Sequence, residues 1–288
     1  MARLNAQAMQ VLGRVNLAEI PVLLVAGCMR SGTTLVQRLL CAAPGVNPAI
    51  AECHYLTELL AAHRQGEARF DLFLSDYFAS REAFDDFGRE TIRRFLRTLS
   101  LRYPDAKLLV LKNPELAYHF SLAARLLPEA RFILVVRDPR DIIASILQVA
   151  ERQRVAGLAS PLVEIGRDME RLCDFVIGYY ADSYSNTQVL QGRLYVARYE
   201  SIARGEPAAL QALGRFAGLA LDGRPAALAP ETWQRQRQDP FAGAFWSPGW
   251  QEAMSKPRSG DYAAHLAPAE IAVIEQRCAG FARSFQYW

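Results

Sequence analysis

The sequence is short of lysine, of long apolar runs and of metal-ligand clusters, and each absence excludes a class of function. No run approaches the ~18 apolar residues of a membrane-spanning helix. The five cysteines have neither metal-site nor disulfide-framework spacing, which suits a reducing compartment. A net charge of +3 is too small to indicate nucleic acid or a membrane surface as a partner. We therefore expect a cytoplasmic protein without a membrane span, a metal ion or a nucleic-acid partner.

Length and composition favour one globular α/β domain. A chain of 288 residues with 51% hydrophobic and 22% charged residues can bury a large core. Residues 1–20 have the pattern of an amphipathic helix and lack the continuous apolar core of a signal peptide. We expect a single domain over residues 1–288. Because three lysines stand against thirty arginines, each lysine is a candidate for a specific role.

A short apolar segment, a glycine-rich turn and a helix follow one another near the N-terminus. Residues 21–26 have the length of a buried parallel strand, and Gly27-Cys-Met-Arg-Ser-Gly-Thr-Thr34 then turns into a helix. In such a unit the backbone N–H groups and the positive end of the helix dipole point at an anion. The pattern predicts an anion-binding loop that contains Arg30, Ser31, Gly32, Thr33 and Thr34.

This loop differs from the nucleoside-triphosphate loop G-x-x-x-x-G-K-[ST] at one decisive position. Gly27, Gly32 and Thr34 fit the pattern, but Thr33 stands where the lysine belongs. That lysine reaches the outer phosphates of ATP or GTP, so its loss argues for a ligand without a γ-phosphate. Arg30 instead supplies a cation inside the loop.

A second anion site is predicted after the strand at residues 132–136. Arg137 ends this strand, Asp138 can cap the following helix, and Ser145 lies about two turns into that helix, on a face that can look back. An arginine fork and a hydroxyl that converge there would hold a phosphate. In the alternative interpretation, Arg137 is structural and pairs with Asp138 or Asp141.

These motifs resemble those of sulfotransferases that use 3′-phosphoadenosine 5′-phosphosulfate (PAPS). Gly27-x-x-Arg-Ser-Gly-Thr-Thr34 is similar to the family's 5′-phosphosulfate loop, in the arginine form of the tyrosylprotein and bacterial branches. Arg137 followed eight residues later by Ser145 resembles its 3′-phosphate motif. The resemblance implies a P-loop-type three-layer α/β fold with a central parallel sheet flanked by helices. It also implies sulfuryl transfer from PAPS to an acceptor hydroxyl or amine, with adenosine 3′,5′-bisphosphate as product.

The resemblance also assigns catalytic roles. Glu52 looks like the general base of the tyrosylprotein branch, with His54 as the next candidate. Lys112 opens Lys-Asn-Pro114, which resembles the family's Lys-x-Pro, whose lysine steadies charge on the transferring group. Arg30 would assist it. The alternatives are a surface or helix-capping Glu52 and a surface Lys112.

Three further features carry weaker expectations. Tyr199 resembles a nucleotide contact but could equally be core, and Val149 replaces a basic residue that the family often carries one turn after the serine. Residues 237–262 form the expected cofactor and acceptor loop, in which Lys256 and Arg258 would close over the 3′-phosphate. The aromatic residues between 233 and 250 either wall an acceptor pocket or line the core.

Two other functions stay open at this point. A phosphate-loop kinase would need the missing lysine and an acidic residue for magnesium, for which Asp138 is the only candidate. A non-catalytic nucleotide-binding protein would keep the loop and transfer nothing. The acceptor alcohol, a small molecule or a peptide, is not identified by the sequence, although the aromatic residues favour an apolar one. The sequence does not indicate the oligomeric state.

Overall fold

The computed structural model describes residues 20–221 and 259–288. Several predictions fall elsewhere. The N-terminal helix (apart from Ile20), the aromatic stretch between 233 and 250, and both Lys256 and Arg258 lie outside the described residues. Within the described ranges, no helix combines the length and the apolar character that crossing a bilayer requires.

A parallel sheet forms the centre of the described part of the chain. Its strands are β1 (Val22–Ala26), β2 (Leu109–Lys112), β3 (Arg131–Val136) and β4 (Leu194–Arg198), in the order β2-β1-β3-β4. In the register, Val25 lies opposite Lys112 on one side and Ile133 on the other. Every residue of β1 and β2 is buried, which explains why both strands read as continuous apolar runs.

Helices cover both faces of the sheet. They are α1 (Thr33–Cys41), α2 (His54–Ala68), α3 (Arg81–Arg102), α4 (Phe120–Leu126), α5 (Pro139–Val155), α6 (Pro161–Ile165), α7 (Met169–Ser185), α8 (Tyr199–Ala203), α9 (Pro207–Ala217), α10 (Pro268–Arg277) and α11 (Ala279–Ser284). Short 3₁₀ turns occupy Pro114–His119 and Asp261–Ala264, and a π-helical turn occupies Phe70–Leu74.

Alternate side chains of β1 point into two separate cores. Leu24 and Ala26 pack in the core that contains residues of α2 to α5, α7 and α10, whereas Leu23 and Val25 pack against α1 and α9. The result is a three-layer arrangement with the sheet in the middle. The predicted α/β fold with a central parallel sheet is therefore confirmed.

Three boundaries differ from those that the sequence pattern predicts. The pattern predicts one long helix over 164–191, but α7 begins only at Met169, because Asp168 caps it by accepting the Arg171 N–H at 3.1 Å. The pattern also predicts a helix over 115–127, but this segment begins as a 3₁₀ turn after Asn113, whose side chain accepts the Glu115 N–H. A strand is predicted over 193–200, but β4 ends at Arg198 and Tyr199 opens α8.

Candidate active site

The carboxyl ends of the four parallel strands meet at one edge of the sheet, where a ligand crevice is expected. A cavity of about 640 Å³ opens there. Most of the predicted site residues line it, namely Arg30, Gly32, Thr33, Thr34, Glu52, His54, Lys112, Arg137, Ser145 and Tyr199. Ser31 is fully buried within the loop and does not line the cavity.

The loop after β1 depends on glycine at two positions. Gly27 has a φ of 147°, and a Cβ there would lie 2.3 Å from the Val135 carbonyl oxygen. Gly32 has a φ of 99°, and its Cβ would lie 2.3 Å from Cδ2 of Tyr199. Arg30 has a φ of 70°, a left-handed conformation that is uncommon for a residue with a side chain and is enriched at functional sites. The loop backbone is thus held in the shape of an anion cradle.

The two predicted anion sites are joined by direct hydrogen bonds. Arg30 Nε donates to Ser145 Oγ at 3.0 Å, and Arg137 Nη1 donates to the Arg30 carbonyl oxygen at 3.0 Å. The Arg137 guanidinium also lies over the ring of Tyr199, with 4.6 Å from Cζ to the ring centroid. Since Tyr199 packs against Gly32 as well, it contacts both sites.

Asp141 links Arg137 to the C-terminal part of the chain. Its Oδ2 lies 3.7 Å from Arg137 Nη2, and its carboxylate accepts the N–H groups of Gly260 at 2.9 Å and Tyr262 at 3.2 Å. Burial raises the pKa of this carboxyl group, while Arg137 opposes the shift. Part of the structural alternative for Arg137 is therefore present in its pairing with Asp141, whereas Asp138 pairs with Arg140 at 2.6 Å.

Glu52 lies between Lys112 and His54. Its Oε1 accepts a hydrogen bond from Lys112 Nζ at 2.6 Å, and its Oε2 lies 3.3 Å from His54 Nε2. Lys112 is 1% exposed, and burial lowers its pKa although Glu52 opposes the shift. The side chain of Glu52 is 28% exposed and that of His54 63%. Lys112 is thus a buried site residue and not a surface lysine.

Asn113, which sequence reasoning did not select, fixes the orientation of His54. Its Oδ1 accepts the Glu115 N–H, so its amide group faces Thr57 Oγ1 at 2.9 Å and His54 Nδ1 at 3.2 Å. Since Nδ1 then acts as the acceptor, the proton of a neutral imidazole is assigned to Nε2, on the side of Glu52. The sequence named Asp141 only as a structural partner of Arg137 and not as a site residue.

Comparisons with known proteins identify the family of the chain. A model described as the sulfotransferase family matches residues 21–223. The omega-hydroxy-beta-dihydromenaquinone-9 sulfotransferase Stf3 of Mycobacterium bovis is 28% identical over 140 residues, which are 46% of this chain and 34% of that protein. The same protein of Mycobacterium tuberculosis gives the same values. The match therefore spans about a third of the length of these curated relatives.

A solved structure shows the same fold. Sulfotransferase STF9 from Mycobacterium avium superposes with a TM-score of 0.52 at 14% identity, over 98% of this chain and 80% of that one. The family match extends over well more than half of the sequence and includes the loop, Glu52, Lys112, Arg137 and Ser145. The chain belongs to the sulfotransferase family.

Proposed function

We propose that this sulfotransferase moves the sulfuryl group of PAPS to the hydroxyl, or amine, of an acceptor. One observation carries the proposal: a single cavity is lined by the anion loop, by Arg137 with Ser145, and by the pair of Glu52 and Lys112. Two neighbouring anion sites suit a nucleotide that is phosphorylated at both ends. Membership of the sulfotransferase family supports the same donor.

The residues present fit this donor. The amides of the loop with Arg30, Thr33 and Thr34 would hold the 5′-phosphosulfate. Arg137 and Ser145 would hold the 3′-phosphate through charge-assisted hydrogen bonds. Arg30 contacts both Ser145 and Arg137, so the residues proposed to hold the two ends of the nucleotide lie side by side. Ser31 would contribute through the loop, while Lys256 and Arg258 stay predictions.

The residues around Glu52 supply the acid–base chemistry. Glu52 takes the acceptor proton while the acceptor oxygen forms its bond to sulfur and the bond from sulfur to the bridging phosphate oxygen breaks in line. Lys112 and Arg30 stabilise the negative charge that develops on this bridging oxygen, as oriented cations do in phosphoryl transfer. Adenosine 3′,5′-bisphosphate is the second product, and the residues require no metal for any of these roles.

The hydrogen-bond network favours Glu52 over His54 as the base. His54 Nε2 carries the proton of the neutral ring and faces Glu52, while Nδ1 faces Asn113. In this arrangement, therefore, neither imidazole nitrogen of His54 has a free lone pair that could take the proton of the acceptor substrate. Glu52 accepts a hydrogen bond from Lys112 and lies 3.3 Å from His54 Nε2, so both neighbours orient its carboxylate.

Replacement of Glu52 by glutamine tests this assignment. We expect Glu52→Gln to lower single-turnover sulfuryl transfer from labelled PAPS by roughly 10²- to 10⁴-fold, the usual contribution of a general base. Because the amide still accepts from Lys112, calorimetry should show unchanged affinity for adenosine 3′,5′-bisphosphate. His54→Ala serves as the matched control and should lose less activity.

Two results would contradict the proposal in different ways. Full transfer by Glu52→Gln would reassign the base, with His54 next in line. If the wild-type chain binds the bisphosphate but transfers nothing, the non-catalytic alternative is correct.

We also propose a cytoplasmic location. All five cysteines are free thiols and all are buried, as expected of a protein kept in a reducing compartment. Mass spectrometry of the protein isolated under alkylating conditions should find the thiols reduced, and native disulfides would contradict the proposal.

A further inference from the structure

A buried carboxylate lies next to the proposed 3′-phosphate site, and the proposed chemistry does not use it. Glu200 is 6% exposed, although an ionisable side chain is rarely buried unless its polar atoms have partners. Its Oε1 accepts the backbone N–H of Asp138 at 3.0 Å, and its Oε2 accepts a hydrogen bond from the Tyr287 hydroxyl at 3.0 Å. Among the described residues that line the cavity, Glu200 is not included, so it would act on a ligand through its neighbours.

The peptide group that Glu200 holds is the one that directly follows Arg137. The N–H of Asp138 belongs to this peptide, at the point where the chain passes from β3 into α5. Asp138 is the N-cap residue of α5, so its N–H has no carbonyl partner within the helix. The plane of this peptide sets the backbone ψ angle of Arg137. The hydrogen bond to Glu200 therefore restrains the direction in which the Arg137 side chain leaves the backbone.

The segment after β4 supports Arg137 through both its side chain and its backbone. Strand β4 pairs in parallel with β3, with Arg198 opposite Val136, so residues 199 and 200 follow beside residues 137 and 138. Tyr199 lies against the Arg137 guanidinium, with 4.6 Å from Cζ to the ring centroid. Glu200, the next residue, holds the peptide after Arg137. The two neighbours therefore fix both ends of the same arginine.

Tyr287 orients the carboxylate of Glu200. Its ring lies against the guanidinium of Arg198, at 4.6 Å from Cζ to the ring centroid, and is parallel to the Phe281 ring at 6.2 Å between centroids. Burial and the neighbouring charge of Glu200 raise the pKa of the Tyr287 phenol, so the hydroxyl keeps the proton that it donates. With a donor on each oxygen, the carboxylate is held in one orientation.

On the basis of the proposed donor, we propose that Glu200 is a positioning residue that sets the selectivity of the protein for a nucleotide with a 3′-phosphate. It holds the peptide after Arg137 so that the guanidinium meets this phosphate, and Tyr287 orients Glu200 for the role. Loss of Glu200 weakens binding at the 3′ end of the nucleotide and leaves binding at the 5′ end intact.

Nucleotide selectivity is the readout that tests the proposal. Titration calorimetry gives the ratio of the Kd for adenosine 5′-monophosphate to the Kd for adenosine 3′,5′-bisphosphate. Glu200→Ala should lower this ratio by about tenfold through weaker bisphosphate binding, while the monophosphate affinity changes by less than about twofold. Glu200→Gln should keep most of the selectivity, because its amide oxygen can accept the Asp138 N–H and its amide nitrogen can donate to the Tyr287 hydroxyl.

Two further variants separate positioning from folding stability. Tyr287→Phe removes only the hydroxyl that orients Glu200 and should lower the same ratio by about threefold. Ile202→Val is the matched control, because Ile202 is a core residue of the same helix α8 and is 1% exposed. This control should lower the urea midpoint of unfolding and leave the ratio unchanged.

The outcomes separate this inference from the proposed function. With normal selectivity in the wild type, an unchanged ratio in Glu200→Ala would overturn the inference alone, and so would equal losses of affinity for both nucleotides. If Glu200→Ala does not fold, the ratio in Tyr287→Phe decides in the same way. A similar fall in Ile202→Val would show that any loss of stability in α8 changes the ratio, which also overturns the inference. A wild-type protein that binds neither nucleotide would refute the proposed function, and the inference with it.

Discussion

The two proposed anion sites at the sheet edge are built in different ways. The loop after β1 is a backbone site, shaped by Gly27, Arg30 and Gly32 in conformations with positive φ. The site at Arg137 is a side-chain site, in which four groups from three separate parts of the chain converge: Asp141 and Ser145 of α5, Tyr199 and the Arg30 carbonyl. A backbone site allows few substitutions and fails abruptly, whereas a site of several side chains loses affinity in steps.

The largest effect is expected at Gly32. We expect Gly32→Ala to weaken binding of adenosine 3′,5′-bisphosphate by more than about 100-fold, or roughly 2.7 kcal/mol, because the new Cβ would overlap the Tyr199 ring and displace the loop. Titration calorimetry measures it.

Gly157→Ala is the matched control for this substitution. Gly157 also has a positive φ, of 69°, but a Cβ there has no neighbour within 4 Å. Gly157→Ala should cost about 1 kcal/mol of folding stability and leave the affinity for adenosine 3′,5′-bisphosphate unchanged. Equal affinities of Gly32→Ala and wild type would show that the loop backbone does not touch the ligand.

Arg137 should give the next largest effect. We expect Arg137→Ala to weaken the bisphosphate by about 2–3 kcal/mol, the range for a lost charge-assisted contact. The same variant should bind adenosine 5′-monophosphate, which lacks the 3′-phosphate, nearly as well as the wild type does. A similar loss for both nucleotides would instead indicate a general structural role for Arg137.

Asp141 should have a smaller effect that depends on Arg137. Asp141→Asn loses the charge beside Arg137, and its single acceptor oxygen can serve only one of the N–H groups of Gly260 and Tyr262. We therefore expect a loss of about 1 kcal/mol in bisphosphate affinity. In a double-mutant cycle with Arg137→Ala the two losses should not add, because Asp141 acts through the orientation of Arg137. Fully additive losses would contradict this linkage.

The smallest effect concerns Tyr118, which lines the cavity. The Tyr118 pKa rises from 10 to about 12 through burial, so the folded state keeps a proton that the unfolded state releases. Stability should therefore fall as pH rises from about 10 to 12. The Tyr118→Phe variant should not show the part of this fall in stability that comes from the Tyr118 hydroxyl. Urea unfolding at pH 8 and pH 11 measures the difference, which solvent screening keeps small because Tyr118 is only partly buried. Equal declines in both proteins would place Tyr118 in a more solvated environment.

The difference between the two sites also explains what could be predicted from the sequence. The loop is local, so the spacing of Gly27 and Gly32 after an apolar strand located the cradle and its helix. Arg137 and Ser145 could be paired because a helix fixes their geometry, and the structure brings both to the cavity. The parallel sheet followed from apolar strands that end in chemically active residues.

Contacts between distant segments were not predictable from local patterns. Asp141 acquires its role from backbone N–H groups at Gly260 and Tyr262, more than a hundred residues away. Asn113 orients His54 only after α2 packs beside the end of β2. Likewise, Tyr118 and Phe175 come from separate elements and look like ordinary core residues in the sequence. Such information is present only in the tertiary fold.

Nucleotide selectivity of the wild-type protein tests the central claim most directly. By titration calorimetry, adenosine 3′,5′-bisphosphate should bind about 2–3 kcal/mol more tightly than adenosine 5′-monophosphate, because the 3′-phosphate engages Arg137 and Ser145. ATP with magnesium should not displace it. Equal affinities of the bisphosphate and the monophosphate, or displacement by ATP and magnesium, would contradict a cavity with an anion site for each end of one nucleotide.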